Sequence, residues 1–282
     1  MAKTYAGRWT AATWLADRGF GKPTVNADAQ APFRRAYAND PLNFSIPDQF
    51  PSLIMAAGGT PHRSSSAGRL NGIWTLGVDL SHRVEARESV LAITLVDPAG
   101  RLKGAWKISQ SLDETVNEQN LISLLEHCRS RLLELSFTGQ ILVLRDGRLF
   151  ENERYETYSD VLNCEVSVVE IRKRHNPQVV DGENRSIRAP WAGIVTKTNT
   201  MFISTTPPAS ANALANVLKV TWHPTRNRLN LGPSEIAEIL ISSSAAPGLG
   251  QRPHHLPSAI YWADGIAGAS DEDLRFRGIT IN

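Results

Sequence analysis

The apolar positions of the chain fall into blocks of two different periods. From Ile73 the run IWTLGVDLSH predicts a buried strand, SVLAITLVD (89–97) a second and LKGAWKIS (102–109) a third. Pro98-Ala99-Gly100 marks the turn between the last two, so these three read as an antiparallel meander. The period then changes: Leu121, Leu124, Leu125, Cys128, Leu132 and Leu133 recur at the three- and four-residue spacing of a helix face. QILVLRDG (140–147) is a short continuous apolar strand ending in an acid, and VSVVEIRKR (166–174) is another. GIVTKT, MFISTT and VLKVTWH follow as short strands. SEIAEILISSSA, with Ser234 as its expected cap, and the segment around IYWADGIAGA close the chain as helices.

The order β-β-β-α-β, then more β, then α, predicts an α/β fold: a ribonuclease-H-like mixed sheet flanked by helices. Topology of this kind assigns no function by itself. Upstream of Ile73 the pattern is irregular. Arg8 to Arg18 reads as a short helix broken by Gly19, Gly21 and Pro23, and Ser52 to Ala57 as another ended by Gly58-Gly59. The run His62 to Gly68 has the composition of a linker. The expected division is a region 1–65 and a domain 66–282.

Composition narrows the class. The chain has 282 residues, 41% hydrophobic and 21% charged, enough for a full core. No apolar run approaches the about 18–20 residues of a membrane helix, so no membrane association is expected. The first residues lack an apolar signal core, and the expected location is the cytoplasm. Two cysteines, Cys128 and Cys164, exclude a disulfide framework and a thiolate zinc site and are expected to be buried. A net charge of +2 neither announces nor excludes nucleic-acid binding; the placement of the 30 Lys and Arg residues decides it.

Two acids sit where burial is expected. Asp79 follows apolar residues in GVDLSHR, and Asp146 ends ILVLRD. Each alone reads more readily as a strand-end turn carboxylate than as a catalytic acid, Asp146-Gly147 being a common turn pair. Two such acids on neighbouring strands repel unless a cation lies between them. Hard divalent ions accept carboxylate oxygens, and a pair of them serves phosphodiester cleavage. The one dense basic cluster on a strand is Lys173-Arg174-His175; it reads either as a solvated strand end or as a set of backbone-phosphate contacts. Arg145, beside Asp146, adds positive charge. His254-His255 reads as loop histidines, since adjacent residues do not share one face of a helix or strand.

Taken together these motifs resemble the PIWI domain of prokaryotic Argonaute proteins. GVDLSHR (77–83) is similar to that family's first catalytic strand, and LRDGRLFENE (144–153) to its second conserved acid. VVEIRKRHNPQVV (168–180) resembles the strand whose basic residues face the nucleic-acid backbone, and IYWADGIA (260–267) the C-terminal helix with the last metal ligand. AAGGTPHR (56–63) resembles the hand-over from the MID domain.

The resemblance implies a catalytic tetrad of Asp79, Glu114, Asp146 and Asp264, with Glu118 as the alternative glutamate finger. It implies that Asp79, Asp146 and Asp264 ligate Mg²⁺ or Mn²⁺, and that Lys173, Arg174, His175 and Arg145 bind nucleic acid. The implied activity is a metal-dependent endonuclease, a hydrolase that uses a short guide DNA or RNA to cut a complementary target strand in prokaryotic host defence. The pattern departs from the family in the region before Gly58-Gly59, where Met55, Ala56 and Ala57 stand and the lysine of the guide-end pocket is missing. Three explanations fit this departure: a second protein subunit supplies the MID and N-terminal half, the guides carry a different 5′ end, or the chain is a fragment or degraded copy. Two rivals remain: a non-catalytic guide- and target-binding half of a split Argonaute, and an unguided nuclease or resolvase.

Overall fold

The computed structural model describes residues 72–83, 86–98, 100–113, 115–149, 153–174, 176, 191–205, 216–224, 228–244 and 255–269. The expected N-terminal helices, the 65/66 boundary, Glu114, His175 and His254 lie outside the described residues.

Eight strands form one mixed sheet: β1 (Trp74–Arg83), β2 (Glu88–Val96), β3 (Leu102–Ser111), β4 (Ile141–Asp146), β5 (Val166–Arg172), β6 (Trp191–Val195), β7 (Thr200–Ser204) and β8 (Leu218–Trp222). Their spatial order is β3-β2-β1-β4-β5-β8-β7-β6. The predicted meander is present: β1 pairs antiparallel with β2, and β2 with β3. The turn between β2 and β3 closes through Gly100 N–H to the Asp97 carbonyl (2.8 Å), with Gly100 at φ +76°. The centre of the sheet is parallel, β4 lying between β1 and β5. The far side returns to antiparallel pairing through β8, β7 and β6.

Helices cover both faces. α1 (Glu118–Glu134) and α2 (Tyr155–Leu162) lie on one, and α3 (Pro233–Ser244) and α4 (Ser258–Gly268) on the other. The alternation of side chains along each strand sorts the two cores. Leu76 and Val78 of β1, with Ile141 and Val143 of β4, pack against Leu121, Leu125 and Cys128 of α1 and Tyr158 of α2. Leu142 and Leu144 of β4 face the other way, against Ala259 and Ile260 of α4 and Ile236 and Leu240 of α3. No helix among the described residues is long and apolar enough to cross a membrane.

Four details correct the sequence reading. Leu133 was expected on the apolar face of α1 but is exposed, because Leu132 beside it takes the inward position and adjacent helical residues diverge. Cys128 is buried, whereas Cys164 is only half-buried, in the turn before β5. Ser234 does not cap α3: the helix starts at Pro233, and the Glu235 carboxylate reaches back to accept the Gly232 N–H at 2.7 Å. Finally, α2 went unpredicted. A parallel β4–β5 pair requires a crossover, and this eight-residue helix supplies it.

Candidate metal centre

Asp79 lies inside β1, which continues to Arg83, so turn chemistry does not account for it. The parallel register sets Val78 beside Arg145 and brings Asp79 next to Asp146, the last residue of β4. Asp146 is followed by Gly147 at φ +86°, a left-handed position that suits glycine and turns the chain away from the strand. Both acids point toward the α4 face. Sites of α/β sheets commonly form at the carboxyl ends of parallel strands; here Asp146 ends β4, and Asp79 lies just past the last β1 residue paired with it.

The third acid comes from α4, which is pinned to the sheet at both ends. At its N-terminal end the helix backbone lies directly on Gly77, where a Cβ would stand 2.2 Å from the Ala259 carbonyl oxygen. The buried Thr94 hydroxyl donates to that same carbonyl at 2.7 Å. At its C-terminal end the Arg83 guanidinium donates to the carbonyls of Ala267 (3.1 Å) and Ala269 (3.0 Å), and the Lys107 ammonium to Ala269 (2.9 Å). Cations satisfy the orphan carbonyls of a helix end in this way. Between the two anchors the helix carries Asp264 over Asp79 of β1 and Asp146 at the end of β4. Carboxylate oxygens of Asp79, Asp146 and Asp264 lie within 4.8 Å of one another.

Three acids this close require a compensating charge. The Lys173 ammonium, on the turn after β5, stands 2.5 Å from Asp146, 2.5 Å from Asp264 and 3.8 Å from Asp79. Asn176 holds that turn by donating to the carbonyls of Arg172 (2.8 Å) and Val217 (2.7 Å). Burial pushes the Asp79 carboxyl up to about 8, and a hydrogen bond and charge from Asp146 add to the rise, while Lys173 opposes it. Burial would lower the Lys173 ammonium, but Asp79 and Asp146 outweigh it and hold its proton more tightly than usual. The donor set fits a hard divalent cation: three carboxylates, two of them shielded, converge on a position that a positively charged nitrogen already prefers.

The remaining expected residues fall as follows. Arg174 is exposed. Glu118 is exposed in the first turn of α1, outside the acid cluster, where it suits the positive end of the helix; Asn117 caps that helix by accepting the Asn120 N–H at 3.1 Å. Arg145 was expected to face a phosphate, yet only 2% of it is exposed. Alternation is the reason: Arg145 and Asp146 are consecutive in β4 and point to opposite faces. Its guanidinium pairs with Glu153 through two 3.0 Å hydrogen bonds and also donates to the Asp146 carbonyl. His255 was read as a plain loop histidine. It lies close enough to the centre for Lys173 and Asp264 to act on it, and burial, followed by the Lys173 charge, lowers its proton affinity. Its position just before the α4 helix was the one available signal.

A polar row not read from the sequence holds the backbone of residues 113, 115 and 117. His82, Ser89 and Gln110 are cross-strand neighbours on β1, β2 and β3. The Ser89 hydroxyl donates to the Asp113 carbonyl (3.1 Å) and accepts the Asp113 N–H (3.2 Å). His82 Nδ1 hydrogen-bonds the same hydroxyl at 2.8 Å. The Gln110 amide donates to the Thr115 carbonyl (2.8 Å) and accepts the Asn117 N–H (3.1 Å).

No protein-family model and no curated protein matches the sequence. Solved structures do match. An Aquifex aeolicus Argonaute is similar with a TM-score of 0.64 at 19% identity, over 88% of this chain and 34% of that one. Clostridium butyricum Argonaute, bound to a guide DNA and a 19-mer target DNA, gives 0.63 at 20% identity over 85% and 32%. The C-terminal lobe of a budding yeast Argonaute gives 0.58 at 13% identity over 78% and 52%. The fold of this chain is that shared with these Argonaute structures, an α/β fold with a mixed eight-stranded sheet, as the motifs implied. The chain spans about a third of the length of the first two and about half of the third.

Proposed function

We propose that the chain is a guide-dependent endonuclease of the Argonaute type, hydrolysing a phosphodiester of a target strand paired to a short guide. The observation that carries this reading is the convergence of Asp79, Asp146 and Asp264 within 4.8 Å, where the parallel pairing of β1 and β4 runs out. The fold shared with Argonaute structures, one of them bound to guide and target DNA, supports the choice of a paired nucleic acid as substrate. Sequence choice would then rest with base pairing, the protein reading duplex shape and backbone.

Asp79 and Asp146, the two enclosed carboxylates, would hold Mg²⁺ or Mn²⁺ from the sheet side, and Asp264 from the half-exposed side. When bound, such ions supply Lewis acidity to phosphodiester hydrolysis. A water oxygen would bond to phosphorus, giving up a proton to solvent, as the bond to the 3′ oxygen breaks and that oxygen takes up a proton from solvent, leaving a 3′-hydroxyl and a 5′-phosphate. Lys173 would give up its carboxylates to the incoming cation, leaving its ammonium available to a backbone phosphate beside the exposed Arg174. Glu114 is the proposed fourth acid, flanked by the backbone contacts of Ser89 and Gln110.

The test is cleavage of a guide-paired target in Mn²⁺ or Mg²⁺ by the wild type and by Asp79→Ala and Asp146→Ala. Loss of cutting with duplex binding retained supports the reading; a variant that cuts at the parent rate overturns the site. A second reading, a non-catalytic guide- and target-binding protein, is favoured by one observation: Lys173 already neutralises the cluster. It predicts duplex binding without metal-dependent cutting at any ion concentration.

A further inference from the structure

Among the described residues, the most enclosed ion pair lies on the far side of the sheet from the acid cluster. Arg145 and Glu153 have side chains 3% and 1% exposed. Ion pairs hidden this deeply are weak evidence of stability, because desolvation offsets most of the attraction and apolar residues of similar volume often do as well. The wiring of the pair suggests another use. Arg145 Nε and Nη2 fork onto the two oxygens of Glu153, each at 3.0 Å, and Nη1 is left to donate to the backbone carbonyl of Asp146. The adjoining Gly147 N–H donates to the Ile171 carbonyl at 2.8 Å. The peptide after Asp146 is thus gripped from behind the sheet by a cation and tied sideways to β5.

We propose that Arg145 and Glu153 are positioning residues for the metal centre. Glu153 fixes the guanidinium, the guanidinium fixes the Asp146 peptide, and the peptide fixes the direction of the Asp146 carboxylate on the opposite face. The inference rests on the reading above, that Asp79, Asp146 and Asp264 hold a divalent ion. It assigns Arg145 to the inside of the protein in place of the nucleic-acid surface.

The experiment compares Mn²⁺ binding, followed by calorimetry and electron paramagnetic resonance, in the full chain and three variants. Arg145→Met alone leaves a buried carboxylate unpaired and is expected to unfold at lower temperature. The double variant R145M/E153M removes both charges and is expected to melt near the wild type. If the pair only stabilises the fold, Mn²⁺ affinity returns with the melting temperature. If it positions Asp146, affinity stays about 10- to 100-fold down, the range of outer-shell losses at metal sites.

Arg145→Lys keeps the charge and the fold but cannot fork onto Glu153 while reaching the Asp146 carbonyl, so the same loss is expected there. In the cleavage assay both folded variants lose kcat with duplex affinity unchanged. Wild-type Mn²⁺ affinity in either folded variant overturns the proposal alone. A folded wild type that binds no Mn²⁺ overturns the metal reading and this proposal with it.

Discussion

The Lys173 ammonium stands 2.5 Å from the Asp264 carboxylate, bridging the turn after β5 and the middle of α4. Without a metal, this lysine is what lets three carboxylates share one space. Lys173→Met is expected to destabilise the metal-free protein by about 1–3 kcal/mol, below the about 3–5 kcal/mol of a fully buried pair because Asp264 is half exposed. Mn²⁺ is expected to raise the melting temperature of the variant more than that of the wild type, since the competing cation is gone. Equal shifts in melting scans with and without Mn²⁺ would show that Lys173 and the metal do not share the site.

The Asp79 carboxyl sets a dependence on pH with a definite sign. Unfolded, it loses its proton near 3.8; folded and metal-free, it keeps it to about 8. Between these values the folded chain binds more protons than the unfolded one, so stability falls as pH rises. The contribution is fully present below about 3.8 and is lost as pH passes about 8. Melting temperatures in chelator from pH 5 to 9 are expected to decline, and Asp79→Asn to flatten the decline. Mn²⁺ is expected to stabilise most at the alkaline end, where it replaces the departing proton. A flat wild-type profile in chelator would refute this account of Asp79.

Gly77 lets α4 touch the sheet. A Cβ there would press within 2.2 Å of the Ala259 carbonyl oxygen, which is backbone and has nowhere to move. Gly77→Ala is expected to cost about 1–3 kcal/mol, in the range of overpacked cores, and to lift Asp264 away from Asp79. Weakened Mn²⁺ binding at temperatures where the variant remains folded is the measurement; unchanged affinity would mean that the helix contact does not set the site.

Ser89 bears on the fourth acid. It holds residue 113 by both its carbonyl and its N–H, next to Glu114. On the reading in which Glu114 completes the tetrad, Ser89→Ala slows single-turnover cleavage by about tenfold, near 1.4 kcal/mol and the scale of one or two hydrogen bonds, with duplex affinity unchanged. A parent-rate variant would mean that Gln110 and the strand ends suffice.

Among the described residues the buried Tyr158 hydroxyl has no hydrogen-bond partner. Removing such a group relieves its desolvation cost, so Tyr158→Phe is expected to leave stability unchanged or raise it by about 1 kcal/mol, read from urea unfolding. A clear loss would point to a partner for the hydroxyl, such as a buried water.

Much of the sheet was legible because β2 and β4 are nearly continuous apolar runs, a Pro-Ala-Gly turn separates β2 from β3, and α1 carries a regular stripe. The three aspartates were legible as charges set among residues that fold inward. Other features lay in relations that one sequence does not display. Lys173 reads as one more basic residue until the turn held by Asn176 carries it into the acids. The α2 helix is short and its leading residue, Arg154, makes no side-chain cap, although Tyr155, Tyr158 and Leu162 keep helical spacing. The inward placement of Arg145 is legible too: strict alternation along β4 separates it from Asp146.

That alternation has a consequence for how the chain tolerates change. Residues 145 and 146 carry opposite charges on opposite sides of one central strand, each matched to its own surroundings. A single-residue insertion or deletion in β4 would exchange them, turning the carboxylate toward Glu153 and the guanidinium toward Lys173. Glu153 would then face a like charge, and the metal centre would trade a carboxylate for a second cation beside Lys173. Length variation in this protein is accordingly expected in its connecting loops and never within that strand.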